Sequence, residues 1–493
     1  MKHKLTIRAA VLLLAALLLL PALIACGDTT PAGTDTTTAN ADITRNPEEA
    51  RFPEADYEGA DFIAYARSQD AAHYQGFYIV PFEDSADVID EQAVIRNMRV
   101  EARYNVKIKA REAASPHTTL QSDIAAGDVD YQVMLSYRNS MGALALNGAF
   151  FNFHNLNCDL TTSWWDKNAS EQYDVAGRLF LMPNDVSVSN LAGTRFFFFS
   201  KAIVEDYGLK DPYSYAEENN WTLDSFLTLV NSIDNPTSGD NYGTYGLMQE
   251  EDYTVFHMLT GAGVPKVERD ADGKIVCKVG EDYLDRAQDF FDTFKAVEDK
   301  PNKMLSITEA VGYDRRQDVS DDLYYHARQL FTEDHFLFTH TDMEVAIREF
   351  KDMKRGFGVI MNPKYNSDQE SYYHQMDDNS LIWGIPNAAN LDIDMVSNVF
   401  DYWAWCSKST VMEGFFEMTI KNKRASDPTA CKMLDIIKDS ICYYATDIYN
   451  VGDCYTMLLR GYNSSLSSSW SSYKVTIGRQ LERIYDKIEV LDE

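Results

Sequence analysis

Between residues 61 and 146 the chain alternates strand-like and helix-like periods, and this alternation constrains the fold more than any other feature. Asp61-Phe-Ile-Ala-Tyr-Ala-Arg67 has the aromatic and branched content of a first strand. Val88, Ile89, Val94, Ile95, Met98 and Val100 fall at helical spacing through Tyr104, and Val106-Lys-Ile-Lys-Ala110 alternates as a second strand. Residues 120–126 read as a helix stopped at Gly127-Asp128. Tyr131-Gln-Val-Met-Leu-Ser-Tyr137 is a third strand, and another helix starts at Met141. Strand, helix, strand, helix, strand predicts an open, mostly parallel α/β sheet.

Ahead of this pattern, Lys2, Lys4 and Arg8 precede an apolar run whose core is residues 9–20 and which Pro21 breaks. A basic head, a short apolar middle and small residues before a cut describe a secretory signal. The core is too short to span a bilayer comfortably. Leu23-Ile24-Ala25-Cys26 resembles the bacterial lipoprotein signal. That resemblance implies cleavage before Cys26, which then carries thioether-linked diacylglycerol and an acylated amine. Each buried methylene contributes about 0.8 kcal/mol, and more than one chain is needed for a stable anchor. Residues 27–53 are Thr-, Asp-, Ala- and Pro-rich and read as a flexible spacer.

Removing residues 1–25 leaves 468 residues, enough for two or three domains. It also leaves 42 basic residues against 76 acidic ones, a charge of −34. So acidic a surface repels nucleic acid and anionic lipid headgroups, and neither is an expected partner. The six remaining cysteines are dispersed without a Cys-x-x-Cys, which argues against zinc. If any pair, the Cys431–Cys442–Cys454 group is the place to look. His326, His335 and His340, with Glu333 and Asp334, match no zinc spacing, so no metal or cofactor is expected.

Further along, residues 178–182 and the very apolar 194–199 read as strands, and Thr222 as the N-cap of a helix over 221–230. Helices follow at about 251–260 and 281–298. A strand at 335–339 leads into a helix over 343–354, and residues 357–361 end at the Asn362-Pro363 turn. From about Val396 the chain is helical, broken by the Ser-rich run 464–472 and closed by 477–490.

Several phrases resemble the extracellular solute-binding proteins of ABC importers, in the group with sugar-binding members. Ile89-Asp-Glu-Gln-Ala-Val-Ile-Arg-Asn97 and Val100-Glu-Ala-Arg-Tyr-Asn-Val106 look like the group's first helix and second strand. Ala126-Gly-Asp-Val-Asp-Tyr131 looks like its entry to the third strand, and Asn220-Trp-Thr-Leu-Asp224 like its Trp-Thr helix start. Lys354-Arg-Gly-Phe-Gly-Val359 and Pro363-Lys-Tyr-Asn366 match its later strand and Pro-Lys turn. Phe199-Ser200-Lys201 departs from a frequent Tyr-Asn-Lys. The order of these motifs, from about residue 60 to 450, carries the resemblance.

The resemblance implies a two-lobed, periplasmic-binding-protein-like (type II) α/β fold, each lobe a mixed, mostly parallel sheet flanked by helices, with a helical C-terminal region. The expected division is a signal peptide at 1–25 and the lipidated cysteine with its linker at 26–54. Residues 55–193 with 332–382 then form one lobe, and 194–331 with 383–493 the other. Crossings are expected at 194–199 and near Trp383-Gly-Ile-Pro386. The implied role is the substrate-binding part of an ABC importer: a monomer anchored at Cys26 on the outer face of the cell membrane. It would close its lobes on a carbohydrate, an oligosaccharide by preference, and deliver it to the permease, without catalysis. The alternatives are a lipid-anchored glycoside hydrolase and a surface glycan-binding protein.

A sugar cleft needs flat apolar faces and convergent polar groups, and loops after strand ends should supply them. The candidates are Asp70 and Tyr74 after the first strand, Tyr137, Arg138 and Asn139 after the third, and Trp164 and Trp165 in a polar loop. Ser189 and Asn190 precede the first crossing, and Asp252, Tyr253 and His340 come from the second lobe. Adjacent tryptophans in an extended segment cannot both face one core, which favours the Trp pair. One consequence is directly testable: a Cys26→Ser protein should leave the membrane on detergent-free washing. Retention on the membrane would contradict the lipid anchor.

Overall fold

The computed structural model describes residues 48–68, 79–81, 87–239, 241–314, 322–424 and 427–491. The chain divides into two units, Met1–Arg51 and Phe52–Glu493. In the first, a short 3-10 turn covers Glu49–Arg51. Cys26 lies outside the described residues.

The larger unit is built on two sheets and a small hairpin, whose strands are, in chain order, β1 (Ala60–Arg67), β2 (Val106–Ala113), β3 (Val133–Tyr137), β4 (Arg195–Ser200), β5 (Tyr245–Gln249), β6 (Glu268–Arg269), β7 (Ile275–Val276), β8 (Met304–Ser306), β9 (Phe336–Asp342), β10 (Phe357–Ile360) and β11 (Leu381–Gly384). The first sheet runs β11-β3-β1-β2, the second β10-β4-β9-β5-β8, and β6 with β7 forms a separate hairpin. In the first sheet β1 is parallel to β2 and β3, while β11 returns antiparallel on β3. In the second, β5 is parallel to β8 and β9, and β4 is antiparallel to β9 and β10.

Local chemistry fixes these elements. Asp87 caps the helix Val88–Tyr104, and Asn105 ends it in the left-handed region at φ 49°. Thr222 and Ser225 close a capping box on the helix Leu223–Ser232. The four phenylalanines 196–199 are all buried, and Phe197 packs on Phe226 at 4.7 Å and on Phe338 at 6.1 Å. Room for Phe199 depends on Gly358, where a Cβ would fall 2.1 Å from the ring.

Strand membership corrects the expected division. Residues 336–360, assigned to the first lobe, pair with β4 in the second sheet, while residues 381–384 join the first sheet beside β3. The return crossing therefore falls at 375–377, before Trp383 and not at it. Periodicity marks a strand as buried on both faces and says nothing of which sheet buries it. Residues 178–182 form no strand, making isolated bridges at Arg178 and Met182 instead. The Ser-rich run breaks the helical tail only at its first two residues: one helix ends at Asn463, and Ser465 caps the next, Leu466–Val490, which begins inside the run.

The two crossings run side by side. Arg195 N donates to Gln375 O at 2.9 Å and Asp377 N to Gly193 O at 2.8 Å. Arg195 Nη1 pairs with Asp377 Oδ2 at 2.6 Å, and its Nη2 with Glu250 and, at 3.3 Å, with the carbonyl of His340. Below this, His340 Nε2 meets Asn362 Oδ1 at 3.2 Å, and Asn362 N donates to His374 Nε2 at 3.0 Å. That contact makes Nε2 of His374 an acceptor, so its proton sits on Nδ1, 2.7 Å from Ser440 Oγ. Ser440 in turn donates to Ile436 O at 2.6 Å.

Burial pushes the His374 imidazole down to about 3 from an ordinary 6.5. The unfolded chain then binds a proton that the fold refuses. Stability from this group is complete above pH 6.5 and drains as pH falls from 6.5 towards 3, by about 1.4 kcal/mol per pH unit for one proton. A His374→Asn protein should be less stable at neutral pH and show a shallower loss of urea-unfolding free energy between about pH 6 and 4, by that slope. An unchanged slope would contradict a neutral, buried His374.

Candidate functional site

The carboxyl edges of both sheets meet at a cleft of about 220 Å³. This is where open α/β sheets bind ligands, because strand-end loops and helix starts converge there. One wall is the start of the helix Arg138–Ala145, directly after β3, and presents Asn139. The facing wall is the helix Glu251–Gly261 after β5, with Tyr253, Phe256 and His257. The return crossing supplies Gln375 and Asp378, and the C-terminal segment from Thr446 to Leu458 closes the remaining side.

That C-terminal wall is held by close backbone approach. The helix Ala445–Tyr449 lies on the helix Arg138–Ala145 where residue 142 is glycine; a Cβ there would stand 1.9 Å from Ile448 O. After Val451 the helix Gly452–Asn463 turns Tyr455 towards Tyr253 and Phe256, at centroid distances of 6.2 and 4.9 Å. Tyr253 and Tyr455 stay 42% and 37% exposed, although most aromatic rings of this chain are buried. Two half-open tyrosines edged by Phe256 form the flat apolar face of the cleft.

Its charges cancel. Arg138 Nη2 meets Asp378 Oδ1 at 3.0 Å and Asp447 Oδ2 at 3.7 Å, and Lys266 Nζ meets Asp447 Oδ1 at 2.8 Å. Burial works against the Arg138 cation, yet Asp447 first, and Asp378 after it, raise its pKa. Burial likewise works against the Asp378 carboxylate, but Lys266 and Arg138 hold it below the usual range. Two cations and two carboxylates leave a polar floor without net charge.

Three buried polar atoms on the cleft lining have no partner among the described residues: His257 Nδ1, Gln375 Nε2 and Thr446 Oγ1. Leaving such a group unpaired costs about 1–3 kcal/mol. A ligand, or an ordered water, that pairs with these atoms removes that cost. Burial first, and Arg195 next, push the His257 imidazole well below its ordinary value, so it is neutral and offers one donor and one acceptor.

Of the residues expected from the sequence, Asn139 and Tyr253 line this cleft, with Arg138 as one of the two cations of its floor. Asp252 is the partly buried neighbour of Tyr253, its carboxyl pushed up by burial and then by Glu251. Tyr137 lies at the end of β3 under the Arg67 guanidinium, 4.5 Å from the ring centroid. Asp70 and Tyr74 lie outside the described residues.

Four expectations fail by burial. Trp164 and Trp165 are each 1% exposed, and both indole N–H groups donate to Asp401 Oδ1 at 2.7 Å. One buried carboxylate accepting from both rings lets adjacent tryptophans share a core, contrary to the argument from alternation. His340 is fully enclosed in the hinge network, and Ser189 Oγ is committed to Leu381 N at 2.9 Å. Asn190 donates to Tyr443 at 2.7 Å on the lining of a separate cavity of about 830 Å³. His326, considered for a metal, pairs with Asp314 at 2.8 Å.

The sequence reading missed Lys266, Gln375, Asp378, Thr446, Asp447 and Tyr455. The last three lie in a stretch read only as helical tail. Its visible signal was Asn450-Val-Gly-Asp-Cys-Tyr455, a polar, glycine-bearing break with an aromatic between helical runs.

No protein-family model matches the chain, and no curated protein sequence is detectably similar to it. Solved structures do match. An ABC substrate-binding protein from Listeria monocytogenes in complex with cycloalternan superposes with a TM-score of 0.52 at 12% identity, over 86% of this chain and 99% of that one. RafE from Streptococcus pneumoniae, in its apo form, gives 0.51 at 14% identity over 87% and 97%. A sugar transporter protein from Rhizobium etli in an open conformation gives 0.53 at 12% identity over 87% and 99%. At such identities the likeness is one of fold, and the fold of this chain is the two-lobed, mixed α/β fold of ABC substrate-binding proteins.

Proposed function

We propose that this protein is the substrate-binding component of an ABC importer and takes an uncharged carbohydrate between its two sheets. The observation that carries the reading is the cleft lining. Two half-exposed tyrosines supply a face for the C–H side of a sugar ring. Around them stand three unpartnered polar atoms and a charge-cancelled floor, suited to hydroxyl groups. A charged solute would find no net field on that floor. Structures of the same fold carry cycloalternan, and maltotetraose in a cyclo/maltodextrin-binding protein, which agrees with an oligosaccharide.

Ligand binding acts through closure: a sugar held by groups of both walls favours the closed arrangement and draws the population to it. The lipidated Cys26 and its linker hold the receptor, as a monomer, on the outer face of the membrane beside the permease that accepts the sugar. A hydrolase would need one carboxyl of raised pKa beside a second carboxylate. Asp378 is held below the usual range by Lys266 and Arg138, while Asp252 beside Tyr253 is raised, so the fate of the bound sugar separates the two readings.

The test is calorimetric titration of the 27–493 chain with a panel of neutral mono- and oligosaccharides, amino acids and peptides. A sugar should bind and be recovered intact. Tyr253→Ala and Tyr455→Ala should each weaken it about tenfold or more, roughly 1.4 kcal/mol, with little change in unfolding temperature. Binding unaffected by both changes would overturn the assignment of this cleft, and cleavage of the sugar would overturn the receptor.

A further inference from the structure

The chain crosses between the sheets a third time after the helix Pro428–Asp439, which packs on β10 of the second sheet. There His374 N donates to Ser440 O at 2.9 Å and Cys442 N to His374 O at 2.7 Å. The cavity of about 830 Å³ opens beside this crossing and shares no lining residue with the cleft. One wall carries Asn184 and Asp185, just after the bridge of Met182 to Trp383 in the first sheet. The other carries Lys438, at the end of the helix Pro428–Asp439, and the ring of Phe416.

The fold leaves three groups unmatched on these walls. Asp185 N donates to Trp164 O at 3.0 Å and Asn184 bridges to Trp165, so the buried Trp pair fixes this stretch of backbone. Asn184 is 5% exposed, and its Oδ1 accepts from Val186 N at 3.1 Å. That bond commits the oxygen and leaves Nδ2, which has no partner among the described residues. The neighbouring Asp185 carboxyl has no ion-pair partner among the described residues, and burial raises its pKa to about 8 against the pull of Lys438. Lys438 Nζ, 5.1 Å from the centroid of the Phe416 ring, has no carboxylate partner there either. Nearby charges are committed or solvated: Asp166 accepts from Tyr443, Lys408 donates to Ser163 at 2.5 Å, and Glu413 and Asp439 are exposed. In the cleft, by contrast, Arg138 and Lys266 are matched by Asp378 and Asp447.

We propose that this cavity is a second solute site, for a zwitterion of the amino-acid type, held with its ammonium on Asp185 and its carboxylate on Asn184 Nδ2 and Lys438. A neutral polyol would leave the acid and the cation unmatched. A simple amine would give the Asn184 and Lys438 donors no acceptor, and a simple anion would stand beside an unpaired carboxyl. Charge-assisted hydrogen bonds are roughly twice as strong as neutral ones, which favours a ligand that carries both charges. The volume admits a large amino-acid side chain or a second residue. Asp185 stands with the first sheet and Lys438 with the second, so a ligand held at both ends spans the hinge.

The site does not depend on what the cleft takes. Calorimetric titration of the full chain with the standard amino acids and a set of dipeptides, at millimolar concentration, tests it. At least one should bind. Its methyl ester, without the carboxylate, and its N-acetyl form, without the ammonium, should each bind about tenfold more weakly or worse. Asp185→Asn and Lys438→Met should each weaken the parent ligand to a similar degree, with little change in unfolding temperature. Neither residue lines the cleft, so these losses assign the ligand to this cavity. Lys438 is exposed, and its replacement decides the matter if Asp185→Asn does not fold. Binding that survives the Lys438 change, or blocked forms that bind as well as the parent, would overturn the proposal, as would no binding by any member of the set.

Discussion

The architecture turns on the Arg195 guanidinium. It stands on the first crossing, pairs with Asp377 on the return crossing, and reaches Glu250 at the head of the helix that carries Tyr253. One buried cation thus joins the two crossings and one wall of the cleft. A carboxylate enclosed without its partner is costly, on the order of 3–5 kcal/mol when one member of a buried pair is removed. The strands of the hinge are therefore held in register by charge as well as by backbone hydrogen bonds. The histidine layer beneath it, His340–Asn362–His374–Ser440, extends that order to the C-terminal helices without adding net charge.

The cleft follows from the same arrangement. Parallel strands of both sheets end at the crossings, so the segments after β3 and β5 have nowhere else to face. The C-terminal segment then crosses over them, admitted by Gly142, and brings Asp447 to Arg138 and Lys266. Ion pairing satisfies the strong charges among themselves. What remains for a ligand is the weaker chemistry of His257, Gln375 and Thr446 and the faces of two tyrosines. Those are groups that discriminate hydroxyls and ring faces and do not retain ions.

Local signals in the sequence carried most of the fold. The alternation from Asp61 to Tyr137, the Phe196–Phe199 run and the Thr222 cap all stand where their chemistry requires. Sheet membership was not legible. β9 and β11 are short apolar runs of the same appearance, and only strand pairing sends one to each sheet. For the site, strand-end reasoning found Asn139 and Tyr253 because their elements are adjacent in sequence to the strands that position them. It failed at Trp164 and Trp165, whose fate depends on Asp401, more than two hundred residues away. It also missed Asp447 and Tyr455, which reach the cleft only by long-range packing of the tail on Gly142.

The proposed closure on a sugar would bring the two lobes together about the crossings joined by Arg195. Small-angle X-ray scattering of the 27–493 chain, without and with a saturating oligosaccharide shown calorimetrically to bind, tests it most directly. A smaller radius of gyration is expected in the saturated sample, reversed when the sugar is removed. An identical radius in the two states, with binding confirmed in the same samples, would contradict closure.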